Sequence, residues 1–259
     1  MDLLAPSHWR QIDLLSDIHL DVRQPHTYAL WSNYLRRTSA DAVFILGDLF
    51  EVWVGDDVLE QPQRFESQCA ADLSAAGRRL DLRIMAGNRD FLMGRGLLDM
   101  CNATALPDPC TLVFGQQRTV LSHGDALCLA DTDYQSFRKL VRSPQWQRDF
   151  LSKPFLEREA IARGIREQSA SRQHAPHEPT YYDVDARAAL DLLTEQGANT
   201  LLHGHTHRPG ETPLAHGKSR LVLSDWEADA TPPRGDIIRL TLNNQAALIT
   251  QRMCLDSLV

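Results

Sequence analysis

Five times along this chain a short apolar run stops abruptly at a polar cluster. The run in IDLLS leads into Asp17-Ile18-His19, AVFIL into Gly47-Asp48, and LRIMA into Gly87-Asn88-Arg89-Asp90. TVLS leads into His123-Gly124-Asp125, and NTLL into the segment from His203 to His207. Continuous apolar runs this short, bounded by polar residues and glycine, predict buried strands. TYALWSNYLRRTSA, FESQCAADLSAAG and ARAALDLLTEQG, which lie between them, carry helical spacing. The alternation predicts a sheet covered by helices, with the strand ends facing a common edge where ligands are held. RLVLSDWE, DIIRLTL and QAALITQRM read as closing strands, with TPPRG as a turn.

Residues 131–179 break this rhythm. YQSFRKLV and FLEREAIARGI are helical, and Pro144, Pro154, Pro176 and Pro179 interrupt them. This predicts a helical insertion over the sheet edge, a lid within a single domain spanning 1–259. Between Arg138 and Arg172 the lid carries nine Lys/Arg against four acids, although the chain as a whole has a net charge of −7. That net charge gives no footprint for nucleic-acid binding. Five scattered cysteines without a CxxC argue against a disulfide framework or a thiolate metal site and suit a reducing cytoplasm. No apolar run reaches the length of a membrane span, and MDLLAPSHWRQ does not read as a secretion signal.

The residue types at the strand ends narrow the chemistry. In extended chain, side chains two apart point to the same face. Asp17 and His19, and His205 and His207, are so spaced, and each pair is expected to reach one point. Mixed oxygen and nitrogen donors suit Mn, Fe, Co or Zn better than Mg or Ca. Asp48 adds a carboxylate able to bridge two cations, Asn88 a neutral oxygen, and His123 a further nitrogen. Seven donors are too many for one tetrahedral ion and suit two ions with open positions. Any one cluster alone also reads as a turn or a helix cap. All five in succession, each supplying metal-competent residues, point to a site.

The ordered set D-x-H, GD, GNRD, H and GHTH resembles the calcineurin-like metallophosphoesterases over roughly residues 13–207. That resemblance implies a four-layer αββα sandwich with a binuclear centre at the strand ends. By position, Asp17, His19 and His207 would hold one metal, and Asn88, His123 and His205 the other, with Asp48 bridging. His203 would lie behind the ligands and support them. LGDLFEVWVGDD, GNRDFLMGRG, HGDALCLADTDYQSFR and LLHGHTHRP are similar, more narrowly, to the lipid A branch of that family. This implies hydrolysis of the pyrophosphate of UDP-2,3-diacylglucosamine by two Mn²⁺ ions that lower the pKa of a water. Asp48, Asn88, Arg89 and His123 would be the catalytic residues, and Arg89 would neutralise phosphoryl charge.

The same resemblance places Asn88, Arg89, Asp131, Ser169 and His205 against substrate. It also implies peripheral attachment to the cytoplasmic face of an inner membrane, which a basic, amphipathic lid would favour. No obligate protein partner is expected. The lid departs from the family by lacking a lysine after Lys153, leaving Arg172, His174 or His177 as substitutes. A phosphoesterase acting on another nucleotide diphosphate or phosphodiester is the alternative reading. A non-catalytic interaction module on this fold is a third, disfavoured because every ligand position is filled.

Overall fold

A computed structural model describes residues 2–173 and 182–254, excluding the side chains of residues 168–173. It contains two six-stranded sheets face to face. The first runs β12-β11-β2-β3-β4-β5, with β2 at Gln11–Leu15, β3 at Ala42–Leu46, β4 at Asp81–Met85, β5 at Ala103–Leu106, β11 at Asp236–Leu242 and β12 at Leu248–Cys254. The second runs β1-β6-β7-β8-β10-β9, with β1 at Asp2–Leu4, β6 at Cys110–Phe114, β7 at Gln117–Ser122, β8 at Thr200–His203, β9 at Gly210–Pro213 and β10 at Ser219–Val222. β2 to β5 are parallel neighbours, as are β7 with β8 and β8 with β10.

Strand composition explains the layering. All five residues of AVFIL in β3 are buried, because that strand is covered on both faces. Ala42, Phe44 and Leu46 face the second sheet with Ile12, Leu14, Leu112, Leu121 and Leu202. Val43 and Ile45 face α1 (Pro25–Arg37), α2 (Phe65–Gly77) and α3 (Arg95–Cys101), packing with Trp31, Leu35, Leu73 and Leu97. On the far side α7 (Ala186–Glu195) lays Ala189 and Leu193 on Val120 and Leu201. The four layers are therefore α, β, β and α, as expected. Helix boundaries follow local chemistry: Pro25 opens α1, where its missing N–H costs nothing, and the Asp185 side chain accepts from Ala188 N at 2.8 Å to cap α7.

Between β7 and α7 lie α4 (Thr132–Val141), α5 (Pro144–Leu151) and α6 (Phe155–Gln173). Phe150 is buried in the α1–α3 core cluster, and Trp146, Phe155, Ile161 and Ala162 pack against it. Several of the segment's basic side chains are paired within the chain. Arg138 bonds Asp125 Oδ2 at 2.8 Å, Arg166 pairs with Glu51, Lys153 pairs with Glu157, and the buried Arg158 pairs with Asp57. Leu129, Leu140, Leu151 and Leu156, by contrast, expose their side chains. The strand expected over RLVLSDWE stops at Val222, beyond which Ser224, Asp225 and Trp226 turn into the strand-end region. No helix among the described residues is long and apolar enough to cross a membrane.

Candidate metal centre

The five polar clusters meet at one edge, three from the first sheet and two from the second. β2, β3 and β4 deliver Asp17 with His19, Asp48, and Asn88; β7 and β8 deliver His123 and the histidine segment. The expected route by strand alternation does not hold. Both paired clusters lie beyond their strands, and Asp17, His19, His205 and His207 have left-handed backbones, with φ of 52°, 51°, 65° and 51°. Asp48 does too, at 51°, so five of the eight non-glycine residues with positive φ among the described residues are proposed ligands. A backbone of that kind costs about 1–3 kcal/mol per residue and persists only where surroundings enforce it. Here the segment after β2 is tied to that after β3, Asp17 N donating to Gly47 O and His19 N to Asp48 O at 3.1 and 3.0 Å.

The glycines preceding ligands answer to crowding. A Cβ on Gly87 would lie 2.1 Å from Asp48 Oδ1, and one on Gly204 would lie 2.2 Å from Asp17 Oδ2. The Gly-Asn and Gly-His pairs are thus the form a chain takes when its backbone runs against another ligand.

The seven side chains form two groups. In the first, His207 Nε2 lies 3.3 Å from Asp17 Oδ1 and 3.3 Å from His19 Nε2, and His19 Nε2 is 4.0 Å from Asp17 Oδ1. In the second, Asn88 Oδ1 lies 2.9 Å from His123 Nε2 and 2.8 Å from His205 Nδ1. Asp48 Oδ1 is 3.7 Å from His123 Nε2, and Asp17, Asp48 and His123 can also converge on a single point.

The donor set fits cations. Asp17 Oδ1 is buried with no hydrogen-bond partner among the described residues, and the buried Asp48 carboxylate stands beside it. Burial opposes charge on both, yet His207, His123 and His19 hold Asp17 well below the usual carboxylate range, while burial pushes Asp48 up. Burial also opposes a proton on His123, but Asp48, Asp17 and Asp125 outweigh it and raise that imidazole to about 9. His207 is raised as well, burial being outweighed by the Asp17 carboxylate 3.3 Å away. His19 is lowered well below its usual value by burial and Arg89, and His205 falls to about 3 through burial and His123. A bound cation would bring positive charge to this cluster of buried carboxylates and imidazoles.

Further residues surround these groups, among them Glu51, Asp225, Tyr134 and Arg142, to which the sequence assigns no role. Glu51 reaches His19 Nδ1 at 3.5 Å, pairs with Arg89 Nη1, and accepts from Arg166 Nε at 3.1 Å. Asp225 Oδ2 lies 3.8 Å from His207 Nδ1. His123 Nδ1 donates to Leu46 O at 2.9 Å, which aims Nε2 at the centre. Asp90 accepts from Leu49 N, Phe50 N and Gly87 N, joining the segments after β3 and β4. Arg142, which ends α4 as its C-cap, donates to Gly87 O at 2.8 Å, while from α4 the Tyr134 hydroxyl donates to Asp125 Oδ2 at 2.5 Å and its ring stacks on His205. Glu51 sits within the GDLFE run, but nothing in its spacing marks it.

Other expected residues have varied placements. Arg89 is at the centre, its guanidinium between Glu51 and Asp48, with Nε 3.5 Å from Asp48 Oδ2. His203 ends β8, buried, its Nδ1 bonded to Gly204 O at 2.8 Å and its ring against the Gly124 backbone rather than any ligand donor. Asp131 caps α4, accepting from Tyr134 N at 3.1 Å. Ser169 lies on α6, and its side chain and that of Arg172 fall outside the described residues, as do His174 and His177 altogether.

Residues 10–209 match the family described as calcineurin-like phosphoesterase, a span that contains all seven donors. The chain belongs to that family. A protein of Chromobacterium violaceum named UDP-2,3-diacylglucosamine hydrolase is 42% identical, with 83% of this chain and 90% of the relative covered. One of the same name from Chromohalobacter salexigens is 38% identical over 88% of this chain and 92% of its own length. The crystal structure of a dimetal phosphatase from Danio rerio shares the fold, with TM-score 0.52 at 14% identity, over 95% of this chain and 98% of that one. The protein is thus a metal-dependent hydrolase of the phosphoesterase class.

Proposed function

We propose that this phosphoesterase hydrolyses the pyrophosphate bond of UDP-2,3-diacylglucosamine to 2,3-diacylglucosamine 1-phosphate and UMP, in lipid A biosynthesis, with two Mn²⁺ ions. What carries the reading is the convergence of seven donors in two groups, in a chain about 40% identical to relatives named for that substrate. Asp17, His19 and His207 would hold one ion, Asn88, His123 and His205 the other, and Asp48 would serve both. When bound, the ions supply Lewis acidity and make hydroxide available near neutral pH. One water is consumed: its oxygen joins one phosphorus as the P–O–P bond breaks, and the leaving phosphate departs in line.

The chain's own residues orient that exchange. Arg89 offers a planar fork to phosphoryl oxygens, which compete with Glu51 and Asp48 for it. Asn88 and His205 border the same oxygens, and Asp131 and Ser169 serve the glucosamine from α4 and α6. The four exposed leucines between Leu129 and Leu156 give the acyl chains and a membrane surface an apolar face. The test is hydrolysis with Mn²⁺ of the diacylated substrate, its deacylated analogue and an aryl phosphodiester. Only the first should turn over well; equal rates on the deacylated compound overturn the lipid reading.

A further inference from the structure

Beside the metal donors opens a cleft of about 500 Å³. His19, His207, Arg89 and Glu51, the last held by Arg166 of α6, form its inner end. Its outer walls are Asp21, Gln24, Asp225 and Glu227, with Arg23 and Trp226, and none of its lining residues comes from α4, α5 or α6. A cleft continuous with the donors and lined by none of the exposed leucines is placed for a different part of the substrate.

Its chemistry says which part. Trp226 is its one large apolar side chain and is buried at 2% exposure, so the cleft offers an acyl chain little to pack against. Its carboxylates are already countered: Arg23 Nε bonds Asp21 at 2.9 Å, and Arg234 pairs with both Asp225 and Glu227. Charge-balanced carboxylates call for no cation, yet keep lone pairs free to accept from hydroxyls. Gln24 precedes α1 without capping it, and its Oε1 is buried with no partner among the described residues, an acceptor awaiting a donor. A ribose diol and a base with an N–H beside a carbonyl supply what these walls lack.

We infer that this cleft is the nucleoside subsite, receiving the uridine of the substrate while the diphosphate crosses the metal donors. The assignment rests on the proposed substrate and goes further by giving that substrate a direction. Uridine lies toward α1 and the segment after β10, the acyl chains toward α4–α6.

The experiment measures binding apart from hydrolysis. UMP and inorganic phosphate are titrated into the Mn²⁺-loaded protein by calorimetry, for wild type, Gln24→Ala and Glu227→Gln. Wild type should prefer UMP over phosphate, and each substitution should reduce that preference by about tenfold, the size of one lost hydrogen bond left unreplaced. A raised KM for the UDP-sugar with less effect on kcat should accompany it, since ground-state binding is what is removed. Unchanged UMP preference in both variants overturns the subsite even if the UDP-sugar is hydrolysed. A UMP preference that depends on Gln24, in a protein that leaves the UDP-sugar intact, upholds the subsite and overturns the substrate instead. A wild type with no preference for UMP sinks the subsite outright.

Discussion

His123 shows how the charge of the centre is arranged. Its Nδ1 is engaged by Leu46 O, so Nε2 alone faces the donors, and the surrounding carboxylates raise the ring to about 9. A cation reaching Nε2 must displace that proton. Below about pH 9 binding therefore releases a proton, and apparent affinity should climb from pH 6 toward 9 and level off above. Calorimetry of Mn²⁺ binding in buffers of different ionisation enthalpy reads the release directly; an affinity flat across that range would show that His123 carries no such proton. The three clustered histidines separate in the same way. His205→Ala should lose one bound ion and all activity. His203→Ala should keep both ions at saturating metal, with affinity lowered about tenfold at most, as for a residue behind the ligands. Metal analysis of the two dialysed variants decides this, and an equally metal-free His203→Ala would place His203 among the ligands.

At the scale of elements, α4 behaves as a brace. Arg142 holds the carbonyl of Gly87, directly before Asn88, and Tyr134 and Arg138 hold Asp125, two residues after His123. Tyr134 also stacks on His205. One helix thus touches the support of all three residues in the second donor group. The first group leans instead on Glu51 and Asp225. Under the proposed two-ion site, Arg142→Ala should weaken the ion that Asn88, His123 and His205 would hold by about tenfold or more while the other is retained, since losing an outer partner typically costs that much. Stepwise titration should then resolve two affinities where wild type shows closer ones. Parallel weakening of both ions would mean that α4 supports the centre as a whole.

For the molecule as a whole, the membrane contact proposed for α4–α6 should rest mainly on their leucines. Arg138, Arg158 and Arg166 and Lys153 are committed to partners within the chain, whereas Leu140 and Leu156 stand 56% and 72% exposed. Attachment to a bilayer should accordingly depend more on apolar contact than on charge. Replacing both leucines with serine should lower binding to anionic vesicles by about tenfold or more. Raising salt should do less. Co-sedimentation at two ionic strengths checks this, and binding abolished by salt but indifferent to the leucines would return the role to charge.

The sequence by itself determined the strand ends, the donors standing on them and the family, because a β run and the residue that stops it are local and periodic. AVFIL followed by Gly-Asp is legible without any contact. Tertiary structure alone decided which donors share a point. His19 and His207 are 188 residues apart, and they meet because two sheets pack with their strand ends aligned. It also replaced strand alternation with left-handed backbones at Asp17, His19, His205 and His207, held by neighbouring segments that no local pattern announces. Glu51, Asp225, Tyr134 and Arg142 stayed hidden for the same reason: an acid, a ring or a guanidinium acquires its role only from what packing brings against it.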